Sequence, residues 1–264
     1  MANLAKIKEL LKQKQEKGTG NSKENQFKPQ AGSNTIRLLP YKFNKDVPMT
    51  SLRIHFGITG KQILSPATFG RPDPIQDFGS KLYNSGDKNA MATAKKLFAK
   101  TRHYAYVVVR GEEEKGPKLW AFSPTIYEEI LKIMNDDDYG SIEDVNTGTD
   151  LVVDYQTPAE VGNDFGKTSI RPKRKSSILT DDEELLKRLL EDQNNIQESY
   201  EEKTAEELTQ ILETYLNSVT DTAEEEVGEV IVDDKKSEKK PEKKKEEAPK
   251  ASAKSFEDLY NDED

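Results

Sequence analysis

His55 and His103 are the only histidines in this 264-residue chain, and it has no cysteine. The two stand 48 residues apart, and neither has the neighbours of a metal-ligand motif or a nucleophile triad. A lone histidine within a strand pattern serves structure more often than catalysis. Without cysteine, disulfides, thiolate chemistry and cysteine-based zinc or iron–sulfur sites are excluded. Asp136, Asp137 and Asp138 could approach a magnesium ion, but they read better as an acidic turn closing a helix. Gly57 to Gly60 is too short for a phosphate loop and reads as a hairpin turn, and no Walker, Rossmann or zinc pattern is present. The expectation is a protein that is not an enzyme, with no cofactor and no metal.

Binding chemistry is better supplied. Between Lys95 and Arg110 stand Lys95, Lys96, Lys100, Arg102 and Arg110 with no acid, interleaved with Phe98, His103, Tyr104 and Tyr106. Cations neutralise phosphates and release counterions. Aromatic faces stack on unpaired bases, which a duplex hides, so the mixture favours a single-stranded ligand. Tyr104 and Tyr106 share a strand face, so both point to a groove or both are buried. The bland alternative is a strand core beside a wet helix face. Trp120 joins the aromatic candidates. A second cluster, Arg171, Lys173, Arg174 and Lys175 followed by Ser176 and Ser177, suits phosphate contact, or is a solvated basic loop. Phe165 upstream is a stacking residue or a plug.

These candidates sit in a chain of divided charge. The net charge is -9, with 34% charged and 33% hydrophobic residues; an ordinary globular chain carries about 25% and 45–50%. Residues 1–180 hold 28 Lys+Arg against 21 Asp+Glu, and residues 181–264 hold 12 against 28. A basic body with an acidic extension points to a nucleic-acid partner, or to a solvated core with a solubilising tail. Met1 to Gly18 lacks the apolar run of a secretory signal, and no stretch approaches the roughly 20 apolar residues of a membrane span, so a soluble cytoplasmic protein is expected.

The elements that would position these residues follow from periodicity. Leu4, Ile7, Leu10 and Leu11 form one apolar stripe on a short lysine-rich helix. From Gln26 to Thr180 the pattern is mostly β. Strands are expected at 35–39, 52–56, 104–110, 118–122, 150–155 and 168–171, with a helix over 90–100, another begun by Ser123 and Pro124, and a long loop over 65–80. An OB-like barrel within a mainly β or α+β class is the leading fold. Thr180 to Glu183 and Thr204 to Glu207 match capping boxes, opening two Leu/Glu-rich helices. Residues 235–254 read as a disordered linker; residues 255–264 carry Phe256, Asp258, Leu259, Tyr260 and Asp264 in an acidic tip. The expected organisation is a basic arm over 1–25, a core over 26–178, a helical acidic segment over 179–219 and a disordered tail over 220–264.

The layout resembles the single-stranded-DNA-binding, helix-destabilising protein of T-even-like bacteriophages. Residues 34–40, His55 to Gly57, Lys100 to Val109, Leu119 to Phe122, Ile126 to Ile130 and the helices after Ile178 carry the likeness in the same order. The resemblance implies an OB-fold core on single-stranded DNA and partners in replication and recombination recruited through the acidic tail. It also implies cooperative self-association through the arm, here Lys6, Ile7, Lys8, Leu10 and Leu11. Two departures stand out. Well-known members carry a His/Cys zinc module, whereas Leu64 to Tyr83 has no cysteine, so a zinc-free core is expected, its loop shortened or held by prolines. The family's basic-then-hydroxyl interaction element has no clean match, and Lys173 to Ser177 is assigned to DNA backbone contact alone. Sequence-independent, cooperative binding of single-stranded DNA in replication, recombination and repair is therefore the leading reading. The alternatives are a protein-interaction scaffold and an RNA-binding translational regulator.

Overall fold

A computed structural model describes residues 25–225, with side chains through 219. The arm residues Lys6, Ile7, Lys8, Leu10 and Leu11 and the tail residues Phe256, Asp258, Leu259, Tyr260 and Asp264 lie outside the described residues. In chain order the elements are β1 (Gln26–Phe27), β2 (Gly32–Leu38), β3 (Met49–His55), β4 (Ile63–Leu64), α1 (Pro74–Asn84), α2 (Lys88–Leu97), β5 (Lys100–Val109) and β6 (Lys118–Phe122). Then follow α3 (Pro124–Met134), β7 (Thr149–Gln156), α4 (Pro158–Val161), β8 (Lys167–Ser176), α5 (Glu183–Glu191) and α6 (Ala205–Glu225). Eight strands in a mixed sheet with six helices make an α+β fold, as the sequence suggested. Among the described residues no helix is long and apolar enough to cross a membrane.

The described residues divide into two compact units, 25–53 with 101–201 and 54–100 with 202–225. This differs from the expected single core over 26–178 followed by a helical segment. The division rests on non-local packing, which periodicity along the chain does not reveal.

In the first unit the strand path is β1-β6-β5-β2-β7-β8, with β3 also pairing β5. β5 decides the layering because its side chains alternate. Ala105 and Val107 enter a cluster with Ile36, Leu38, Trp120, Phe122, Leu151 and Val153. Ile126 and Ile130 of α3 close this cluster. Ser123 caps α3 by accepting a hydrogen bond from the Ile126 amide at 3.4 Å, and Pro124 occupies the first turn, where its missing N–H costs nothing. Each such aliphatic side chain contributes roughly 1.5–3 kcal/mol by burial. Tyr104 and Tyr106 lie on the other face of β5.

In the second unit Ile58, Ile63, Ile75, Phe78, Leu97, Leu208 and Leu212 form the core. Residues 65–80, expected as a loop, hold a 3-10 turn at Pro66–Phe69 and the start of α1. Of the prolines that suggested a loop, Pro66 and Pro74 start helical turns here, and Pro72 lies just ahead of the cap. Asp73 caps α1, its Oδ1 accepting from the Ile75 and Gln76 amides at 3.0 and 3.2 Å, and Pro74 sits in the first turn. Thr204 and Glu207 make the expected reciprocal capping box of α6. For α5 the expected box is corrected: Asp182 is the cap, accepting from the Glu184 and Leu185 amides, because it directly precedes the first helical residue, Glu183, while Thr180 lies two positions further out and accepts from the Asp182 amide.

Acid is expected to loosen the second unit. Burial alone would raise the Asp73 carboxyl, but hydrogen bonds from His55, Ser65 and the Gln76 amide outweigh it and hold it below its ordinary value. A lowered folded value means stability present above the unfolded aspartate range and lost as pH falls through the folded value. Protection of the Ile75 and Gln76 amides against hydrogen exchange should decline in that acidic range; unchanged protection there would remove Asp73 as the cause.

Candidate nucleic-acid interface

The polar side chains of the first unit separate into a buried set and an exposed set. Tyr104 and Tyr106 are only 5% and 6% exposed. The Tyr106 hydroxyl accepts from the Asn194 amide at 3.0 Å and donates to the Asn194 carbonyl at 3.2 Å. Tyr104 and Tyr200 share a hydroxyl hydrogen bond at 2.9 Å, and the Tyr41 hydroxyl accepts from the Ile196 amide at 3.0 Å. Burial raises all three phenols, Tyr41, Tyr104 and Tyr106, above their ordinary value, so they stay protonated. Trp120 is 2% exposed, with Phe27 edge-on at 5.8 Å and Phe122 tilted at 4.6 Å. The structure thus places Tyr104, Tyr106 and Trp120, expected along a groove, among its buried residues. Of the two options that strand periodicity left for the tyrosines, this structure takes burial, because residues 193–200 cover that face.

Arg110 also turns inward. Its Nε lies 2.8 Å from Asp150 Oδ1, and its Nη1 donates to the Leu179 carbonyl at 2.6 Å. The same carboxylate oxygen receives Arg37 Nε at 2.9 Å. Arg37 is 0% exposed and donates further to the Asp144 carbonyl and to Ser177 through both its carbonyl and its hydroxyl. Burial lowers the Arg37 guanidinium and Asp150 opposes the shift. Asp150 thus joins two guanidiniums that together hold Ser177 to Leu179, the segment that leaves β8.

β8 carries the exposed set. Lys167, Arg171, Lys173, Arg174 and Lys175 are all exposed along one ten-residue strand, which pairs β7 and ends the strand path. Leu151 pairs with Pro172, while Thr149 pairs with Ser176. Between these two pairs one residue of β7, Asp150, stands opposite three of β8, a bulge that breaks the alternation and lets Lys173, Arg174 and Lys175 all reach solvent. Arg171 touches Asp154 at 3.1 Å and Lys173 approaches Asp150 at 4.0 Å; the first of these contacts is solvent-exposed and the second reaches only the edge of the buried network. Exposed pairs of this kind contribute little to stability, so their cations exchange partners readily. The basic cluster is therefore a strand, which its lack of apolar alternation concealed.

Phe165 stands at the loop entering β8 and is 82% exposed. Gly166 fixes the backbone behind it: an added Cβ would meet the Tyr155 hydroxyl at 2.5 Å and the Gln156 carbonyl at 2.6 Å. Phe43, which sequence reasoning did not single out, is exposed in the turn after β2, with Lys42 Nζ 5.8 Å from its ring centre. Asn44 sets that turn by accepting from the Asp46 and Val47 amides. The visible signal was an aromatic between two lysines, Lys42 and Lys45. Arg102 is exposed at the start of β5.

In the second unit Lys95 and Lys96 are exposed at the end of α2, and Lys100 is exposed just beyond it. Phe69 and Tyr83 are exposed aromatics there, with the Arg71 guanidinium 5.1 Å from the Phe69 ring centre. Neither aromatic was anticipated.

Among the described residues no group of three or more His, Cys, Asp or Glu could hold a metal ion. His103 packs flat on Tyr127 at 4.0 Å and shares a hydrogen bond with Ser51 at 2.7 Å, and burial lowers its imidazole below the ordinary value. A neutral, stacked ring on a core strand is a packing role. A family model described as gp32 DNA binding protein like matches residues 30–220. A comparison with curated proteins finds no match.

Proposed function

This chain belongs to the gp32-like family of DNA-binding proteins, and we propose that it binds single-stranded DNA without reading its sequence, along the cations of β8 and beside the ring of Phe165. The supporting observation is the concentration of five exposed cations on one strand next to the most exposed aromatic ring among the described residues. Cations on an extended strand track a phosphate backbone, and a solvent-facing ring offers a stacking platform that accepts any base. Phe43 with Lys42 and Lys45 is a second such platform in the same unit. Lys95, Lys96 and Lys100 add positive potential in the other.

The finer reading follows the family likeness. The core is OB-like, and residues 1–25 join neighbouring molecules along the strand through the stripe of Ile7, Leu10 and Leu11 with Lys6 and Lys8. The acidic tip, with Phe256, Asp258, Leu259, Tyr260 and Asp264, recruits replication, recombination and repair proteins. No enzymatic step is part of this reading.

Photocrosslinking to oligo-dT followed by peptide mapping tests the site. Adducts should fall on Phe165 and the β8 peptide, whereas adducts confined to Tyr104 and Tyr106 would mean that the cover over those rings opens on DNA. Phe165→Ala should weaken oligo-dT binding by about 1–3 kcal/mol, the usual worth of one stacked base. Its unfolding midpoint should not move, since an 82% exposed ring contributes little packing. Unaltered affinity would exclude the ring as a stacking platform.

A further inference from the structure

The end of β3, the turn after β4, the start of α1 and the end of α2 meet at three buried polar side chains. His55, Ser65 and Asp73 are 0%, 0% and 2% exposed. Asp73 Oδ2 lies 2.8 Å from His55 Nε2 and also accepts from the Ser65 hydroxyl. The other Asp73 oxygen accepts from the Ile75 and Gln76 amides. His55 Nδ1 lies 2.7 Å from the Leu97 carbonyl, and Gln76 Oε1 accepts from the Ala99 amide at 3.1 Å.

The proton inventory of this hub is constrained. A carbonyl oxygen only accepts, so His55 Nδ1 must donate to Leu97. Asp73 takes four hydrogen bonds, an arrangement that favours the carboxylate. A neutral ring protonated at Nδ1 would aim its Nε2 lone pair at that carboxylate. Only a ring protonated on both nitrogens satisfies both neighbours. Such a ring has no lone pair for a metal, and both oxygens of its carboxylate partner are engaged. The resembling phage proteins use a His/Cys zinc module in the corresponding stretch, and the residues here do not fit one: no thiolate is present and the one imidazole is committed at both ends.

We propose that a buried imidazolium–carboxylate pair, His55 with Asp73, closes residues 54–100 without a metal ion. It ties three elements of this stretch together: His55 reaches the end of α2, Asp73 opens α1, and Ser65 anchors the turn between β4 and α1. The inference does not depend on DNA binding, and a failure of the DNA-binding reading would leave it standing.

The test uses the full chain at pH 7.5. Metal analysis after purification should find far less than one ion per chain, and a strong chelator should leave the melting temperature unchanged. Nitrogen-15 NMR of the His55 ring should show protons on both nitrogens. Asp73→Asn retains an oxygen that can cap α1 but removes the charge, so the His55 ring should revert to one proton and the melting temperature should fall. One zinc per chain whose removal melts the protein would overturn the proposal. So would a singly protonated His55 ring in the unmodified chain, a readout that does not depend on any variant folding.

Discussion

Asp150→Ala should destabilise the first unit by about 3–5 kcal/mol, the usual cost of removing one partner from a buried ion pair. The magnitude follows from what would be stranded. Arg37 is 0% exposed, and among the described residues Asp150 is the only carboxylate within salt-bridge distance of it. Arg110 would keep only Glu113, at 3.7 Å. Arg37 would then sit in a low-dielectric site with backbone carbonyls and the Ser177 hydroxyl as its hydrogen-bond partners and no carboxylate among the described residues in salt-bridge distance. Arg110→Gln should cost less, since Arg110 is partly exposed and Arg37 would retain Asp150. Urea unfolding followed by tryptophan fluorescence measures this cleanly: Trp120 is the chain's single tryptophan and is buried in the same unit. An unmoved midpoint would mean that water already reaches the pair. The same change should weaken DNA binding, because Arg37 and Arg110 anchor Ser177 to Leu179 at the end of the cationic strand.

Replacing Lys173, Arg174 and Lys175 together by glutamine should have the largest effect on DNA. Each phosphate neutralised on a single strand contributes about 0.7 to the slope of log affinity against log salt. Leaving three phosphates without their cations should flatten that slope by about 2 and lower affinity about 100-fold near 0.1 M salt. Stability should hold, because all three side chains are exposed and only Lys173 approaches an acid. The comparison with Lys95→Gln/Lys96→Gln is informative, since those lysines are equally exposed on α2. Equal losses from both sets would describe a diffuse electrostatic field. A loss confined to the β8 set would describe a track.

Some of this was legible in the sequence. Three consecutive valines and the alternation beside them placed β5, and the Ser123–Pro124 pair placed the start of α3. Tyr104 and Tyr106 were correctly put on one face, but a period of two does not say which face is covered. That depends on residues 193–200, about 90 positions away. Pro66, Pro72 and Pro74 suggested a loop because proline breaks helices internally, yet Pro74 begins one. β8 was read as too short because an exposed edge strand has no apolar alternation to mark its length. Phe165 could be named as a stacking ring or a plug, and only its exposure separates the two. His55 gave no motif, because its partners lie 18 and 42 residues away, at Asp73 and Leu97.

The most direct measurement is a titration of labelled oligo-dT with the full chain at a series of salt concentrations, beside a duplex of equal length. Saturable binding that favours the single strand and weakens linearly in log salt is the expected result. No saturable binding at low salt, or equal affinity for the duplex, would contradict it.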